Sequence, residues 1–128
     1  MTDASLAAWA GAFALTQAVE APIYVFGARV TAARALTASA LTHPVAWFVA
    51  PWLWRRGFWE AFGPVAPTFA WRALWVVGYV ALAEGFAVSV EAWWLRRSGV
   101  DRPWRWSLAA NGASATLGFV LDAMGWTG

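Results

Sequence analysis

Residues 69–95, FAWRALWVVGYVALAEGFAVSVEAWWL, form an apolar run with two glutamates in its second half. A helix rising about 1.5 Å per residue crosses the roughly 30 Å hydrocarbon core of a bilayer in about 20 residues, so this run spans with length to spare. Charge within it is confined to Arg72 near its start and to Glu84 and Glu91. The two glutamates are seven residues apart, two helical turns, and therefore share one face. A carboxylate turned toward lipid costs about 2.5–3.5 kcal/mol, so that face must meet protein or water, and other helices must cover it.

Composition supports the same reading. The 128 residues are 61% hydrophobic, 17% aromatic and only 12% charged, against about 25% charged in a soluble domain, which predicts a single integral membrane domain embedded in the lipid bilayer. The nine basic residues are all arginines in span-flanking positions, so nucleic acid is not an expected partner. With no cysteine there is no disulfide, thiolate nucleophile or cysteine-ligated metal. No basic residue precedes the first apolar run, which is read as a retained helix rather than a cleaved leader.

Four spans are predicted, at about 5–28, 35–53, 69–95 and 104–126, giving an all-α four-helix transmembrane bundle. The Gly-, Pro- and aromatic-rich segment 54–68 is read as an interfacial loop. Most tryptophans fall near span ends, as aromatic belts require. Arg29, Arg34, Arg96, Arg97, Arg102 and Arg105 gather at one end and Arg55, Arg56 and Arg72 at the other, so the first end is expected to be cytoplasmic. The expected location is then the plasma (inner) membrane, multi-pass, with both termini extracytoplasmic. Laying residues 19–49 over 90–120 without a gap aligns Val-Glu-Ala, an Arg, an Ala and a closing Phe-Val, the trace of two parallel two-helix repeats.

Each span gathers its polar residues on one face: Gln17, Glu20, Tyr24 and Gly27 in the first, Ser39, His43 and Trp47 in the second, and Ser107, Asn111, Ser114, Gly118 and Asp122 in the fourth. Counted from the arginine-rich ends, Glu20 lies about 13 Å deep, His43 about 15 Å, Glu84 about 18 Å and Asn111 about 12 Å. Glu20, His43, Glu84 and Asn111 are therefore expected in one interior layer, with Glu20, Glu84 and His43 titrating as a coupled set. Asn111 with Gln17 and Tyr24 is expected to orient the acids, Ser114 to join the same binding layer, and Glu91 to form a step toward water or to pair with Arg96 or Arg97.

The function this layer suggests is proton-linked, cation or small-solute transport, with Glu20 and Glu84 carrying the exchange and His43 tuning it. A homo-oligomer or larger membrane complex is expected. The competing expectation is a non-catalytic accessory or scaffold subunit whose polar layer only registers helices. An intramembrane enzyme is disfavoured: a carboxylate-bridged di-iron bundle needs paired Glu-x-x-His motifs, this chain has one histidine, and Ser39 with His43 is the sole nucleophile–base candidate. No cofactor or metal is expected.

Overall fold

The structure, a computed structural model, describes residues 3–62 and 68–125. It is all-helical among those residues. Helix α1 covers Asp3–Pro22 and runs into a π-helical turn, Ile23–Gly27; α2 covers Ala32–Pro44, with a second π-helical turn at Val45–Val49 leading into α3, Ala50–Phe62; α4 covers Phe69–Arg97 and α5 Pro103–Ala123. Residues 54–62, expected as loop, thus continue the second rod as helix. Residues 63–67 of that expected loop, and the expected end of the last span beyond residue 125, lie outside the described residues. Reading Gly57 and the charges around it as breakers was the error: a single glycine costs a helix only about 1 kcal/mol, and Arg56 and Glu60 form a helical i,i+4 pair at 3.0 Å.

Both π-turns start directly after a proline, Pro22 or Pro44. Proline has no N–H and crowds the carbonyl four residues back, so the hydrogen-bond ladder must re-register there. After Pro22 the Ala28 N–H reaches the Ile23 carbonyl at 3.2 Å, five residues back. After Pro44 the Ala50 N–H bonds the Val45 carbonyl in the same way. The Ala46 carbonyl would then need residue 51 as its donor, and residue 51 is another proline. The Tyr79 hydroxyl of α4 donates to it instead, at 3.1 Å.

Helix ends follow local chemistry. Thr31 and Thr68 cap α2 and α4, each accepting from the N–H three residues on at 3.4 Å. At the end of α4, Gly99 sits at φ 80, its N–H bonds the Arg96 carbonyl at 3.1 Å, and the Val100 N–H bonds the Leu95 carbonyl at 3.0 Å. This pair of bonds is a Schellman closure, with Val100 and Leu95 packing in the core beneath it.

The rods close into a ring in which α1 packs on α2 and α5, and α4 packs on the same two, while α3 lies against α4. Two cross-links tie the connections at the arginine-rich end: Arg34 Nη1 donates to the Ser98 carbonyl at 3.3 Å, and Trp94 Nε1 donates to the Arg34 carbonyl at 3.0 Å. At the opposite end Trp54 and Phe58 of α3 pack on Trp75 of α4, with ring centroids 5.9 and 4.7 Å away.

Burial is uneven along the bundle. Tyr24, Val30, Ala35, Ala38, Leu95 and Ala110 form the apolar core, all in the half next to the arginine-rich connections. In the other half, among the described side chains, nothing in α1 before Glu20, in α4 before Ala87 or in α5 after Asn111 is buried. Helix α4, over Ala70–Arg97, is long and apolar enough to cross a membrane, and 6% of its most apolar window is buried inside the bundle. A soluble protein's central helix would be covered by its neighbours. Among the described residues it is the one helix that meets that criterion, because prolines divide the first two rods and α5 is rich in polar residues.

Gly27 faces Trp106, and a Cβ there would overlap the indole, whereas a Cβ at Gly112 meets nothing within 4 Å. Gly27→Ala is expected to destabilise the bundle by about 1–3 kcal/mol through overpacking, and Gly112→Ala to leave it unchanged or more stable by up to about 1 kcal/mol. Melting temperatures in mild detergent check both.

Candidate functional site

Where the tight half of the bundle ends, two carboxyl groups are buried in the interior, near enough for the charge of one to act on the other. Glu20 of α1 and Glu91 of α4 are each 1% exposed and come from helices on opposite corners of the ring. Glu20 Oε2 accepts from the Ser39 hydroxyl of α2, and its Oε1 accepts from the Ser114 hydroxyl of α5 at 2.6 Å. Glu91 Oε2 accepts from the Tyr24 hydroxyl and from Asn111 Nδ2, the latter at 2.6 Å, while its Oε1 accepts from the Thr42 hydroxyl at 2.8 Å. Every helix of the ring contributes. The gap-free overlay of residues 19–49 on 90–120 sets Glu20 on Glu91 in sequence.

Local sequence explains the convergence. Glu20 of α1 and Tyr24 of the π-turn after it are about one turn apart on the first rod, Ser39 and Thr42 one turn apart on α2, and Ser107, Asn111 and Ser114 follow one face of α5. Ala35, Ala38 and Ala110, all fully buried, let the backbones approach closely enough for short side chains to reach across. The donors are held in turn: Asn111 Nδ2 also bonds the Ser107 carbonyl at 3.0 Å, and the Ser107 hydroxyl bonds the Val88 carbonyl at 2.9 Å.

Two features govern the chemistry. Every donor to either carboxyl is neutral, so the described residues offer these acids no fixed cation within hydrogen-bonding reach. Two of the donors also have a second acceptor. The Thr42 hydroxyl lies 3.2 Å from the Ser39 carbonyl, and the Ser114 hydroxyl lies 3.1 Å from the Asn111 carbonyl. A hydroxyl carries one proton and accepts as well as donates. When a carboxyl gains a proton on Oε1, that proton points at the hydroxyl, and the hydroxyl turns its own proton to the backbone carbonyl. Both charge states keep their hydrogen bonds.

Of the expected layer the structure brings together Glu20 and Asn111 but not His43 or Glu84. Glu20, Tyr24, Asn111 and Ser114 come together as the spacing suggested. Glu91 takes the place assigned to Glu84, and its expected pairing with Arg96 or Arg97 is overturned: Glu91 is interior, and Arg97 stacks instead on Trp93, 4.5 Å from the ring centroid. Glu84 is half-buried two turns away on α4, and among the described residues no hydrogen bond is made to it. His43 stands outside the cluster, among rings: Phe13 at 5.1 Å, Trp9 at 6.2 Å and Trp47, stacked, at 6.0 Å. Its Nδ1 and Trp9 Nε1 are buried without a hydrogen-bond partner among the described residues. Gln17 Nε2 donates to the Leu36 carbonyl at 3.1 Å, away from the carboxyls. Ser39 gives its proton to Glu20 rather than to His43, so the nucleophile–base pairing is not formed. Among the described residues no three His, Asp or Glu side chains are placed to share a metal ion.

Sequence reasoning undervalued Ser39 and Ser107 as simple helix contacts, and passed over Thr42. The signal was present, since Glu91 sits six residues, about 9 Å, from the end of α4, closer to the depth of Glu20 than Glu84 is.

Asn111→Ala removes two polar contacts to buried acceptors and is expected to destabilise the protein by about 1–3 kcal/mol. Asn111→Asp adds a third acid to the pair and is expected to cost more; thermal melts in detergent order the two. Compared with known proteins, the chain matches no family model, no curated protein and no solved structure.

Proposed function

We propose that the chain crosses the bilayer four times and is a small proton-linked transport protein whose exchange site is the carboxyl pair Glu20 and Glu91. The carrying observation is the pair's hydrogen bonding: neutral donors throughout, with Thr42 and Ser114 each able to serve either charge state of its carboxyl. Two negative charges with no cation beside them among the described residues are costly in an apolar interior, so the pair calls for a mobile positive charge, and a proton fits carboxyls that are each only 1% exposed. Ionisable groups inside membrane segments form proton relays, which is the role this pair suits. The arginine-rich connections lie on the cytoplasmic side in this reading, with both termini outside. A homo-oligomer or a larger membrane complex supplies the remaining solute path, because four helices enclose little space.

A second reading rests on one specific observation. The same hydrogen bonds link α1 to α2, α4 and α5, and α4 to α2 and α5, so the cluster also suits an accessory subunit in which it fixes helix register.

Glu20→Gln and Glu91→Gln keep shape and hydrogen-bonding capacity while removing the exchangeable proton. In proteoliposomes carrying an internal pH dye and an imposed pH gradient, each variant is expected to reduce proton flux to that of empty vesicles, with melting temperature nearly unchanged. Wild-type flux equal to empty vesicles, together with a lowered melting temperature in both variants, contradicts transport and favours the scaffold.

A further inference from the structure

The two ends of the bundle treat the carboxyl pair differently. Toward the arginine-rich connections the pair is capped by fully buried Tyr24, Ala35, Ala38, Leu95 and Ala110, with Val30, Trp94 and Trp106 packed around them. This is a tightly packed, mostly apolar plug: its hydroxyls, on Tyr24 and Ser107, are already bonded to Glu91 and to the Val88 carbonyl, and neither side chain is exposed. Toward the other end burial stops soon after the pair: Ala87 and Val88, one turn beyond Glu91 on α4, and Ala50 of α3 are buried, and past Ala87 no described side chain of α1, α4 or α5 is. The α5 face that carries Ser114 continues there to Gly118, where a Cβ would meet nothing within 4 Å.

Glu84 lies on this open side. It stands on the α4 face that holds Glu91, two turns nearer the open end. Two hydrogen bonds tie α4 to the second rod on either side of it along the helix: Thr42 of α2 to Glu91, and Tyr79 to the Ala46 carbonyl in the π-turn that follows α2. It is half-buried, no described residue hydrogen-bonds it, and it is near enough for its charge to act on both Glu20 and Glu91. A carboxylate so placed lowers the barrier for a cation moving from the wet end toward the pair.

We propose that the Glu20–Glu91 pair exchanges with one end of the molecule only, the end away from the arginine-rich connections, and that Glu84 is the positioning residue that draws cations along this path. The proposal rests on the transport reading for its purpose, but sidedness is measured without any flux. In the membrane orientation proposed above, access is from the extracytoplasmic side, and the structure is closed to the cytoplasm by the plug.

The chain has no cysteine, so single thiols report cleanly. In sealed vesicles of both orientations, Asp101→Cys, exposed in the α4–α5 connection, marks the arginine-rich side. Ser114→Cys and, as a second variant outside the site, Gly118→Cys are treated with membrane-impermeant cationic and anionic methanethiosulfonates. Both thiols are expected to react only from the side where Asp101→Cys does not, with the cationic reagent faster. Adding Glu84→Gln is expected to reduce that cation preference several-fold without changing which side reacts. Reaction from the Asp101 side, or from neither side, overturns one-sided access, and an unchanged cation preference in Glu84→Gln overturns the role of Glu84. Either result leaves the flux of Glu20→Gln and Glu91→Gln as it was, so the two proposals fail separately.

Discussion

Two acidic side chains sit in an apolar interior with no cation hydrogen-bonded to them among the described residues, and the rest of the bundle is shaped by keeping them hydrogen-bonded there. Glu20 and Glu91 come from diagonally opposed helices, so neither can be satisfied by one neighbour. Each takes donors from both helices that flank it. That arrangement demands small residues at the contacts, and alanines at 35, 38 and 110 supply them with no exposed surface. It also ties the ring into one unit, since losing any helix strands a buried acceptor.

The backbone irregularities belong to the same design. Glu20 and Thr42 each lie two residues before a proline, and each proline is succeeded by a π-turn. A π-turn widens the helix and rotates the residues beyond it, a feature that recurs at functional sites. Here the first such turn contains Tyr24, whose hydroxyl reaches Glu91, and the second frees the Ala46 carbonyl that Tyr79 recovers. The interruptions also separate the tightly packed half from the looser one, because the first two rods change register near the level of the carboxyl pair. A plug on one side and open packing on the other give the molecule a direction that its simple ring topology lacks.

Much of this was legible in the chain. The Glu20–Tyr24 and Ser107–Asn111–Ser114 stripes pointed inward as their spacing required. The errors share one physical origin. Residues seven apart on a helix share a face, so periodicity fixed the face of Glu84 and Glu91 but not which was level with Glu20. That level depends on where α4 ends, at Arg97, and on how π-turns displace the first two rods. The choice between Thr42 and His43 was equally small: both lie about one turn beyond Ser39, and a rotation of a single residue decides which faces the acids and which packs among Trp9, Phe13 and Trp47. The helix at residues 54–62 was hidden because glycine and charge suggest a loop, while the pairing of Trp54 and Phe58 with Trp75 is invisible in one dimension.

The account turns on whether the buried pair holds an exchangeable proton. Infrared difference spectroscopy on the reconstituted protein, stepped in pH and repeated in heavy water, reads protonated interior carboxyls directly through their C=O stretch. The expected result is a deuterium-sensitive carboxylic acid band that changes with pH and is lost or displaced in both Glu20→Gln and Glu91→Gln. A wild-type spectrum with no pH-responsive band, or a band that survives unaltered in both variants, contradicts the account.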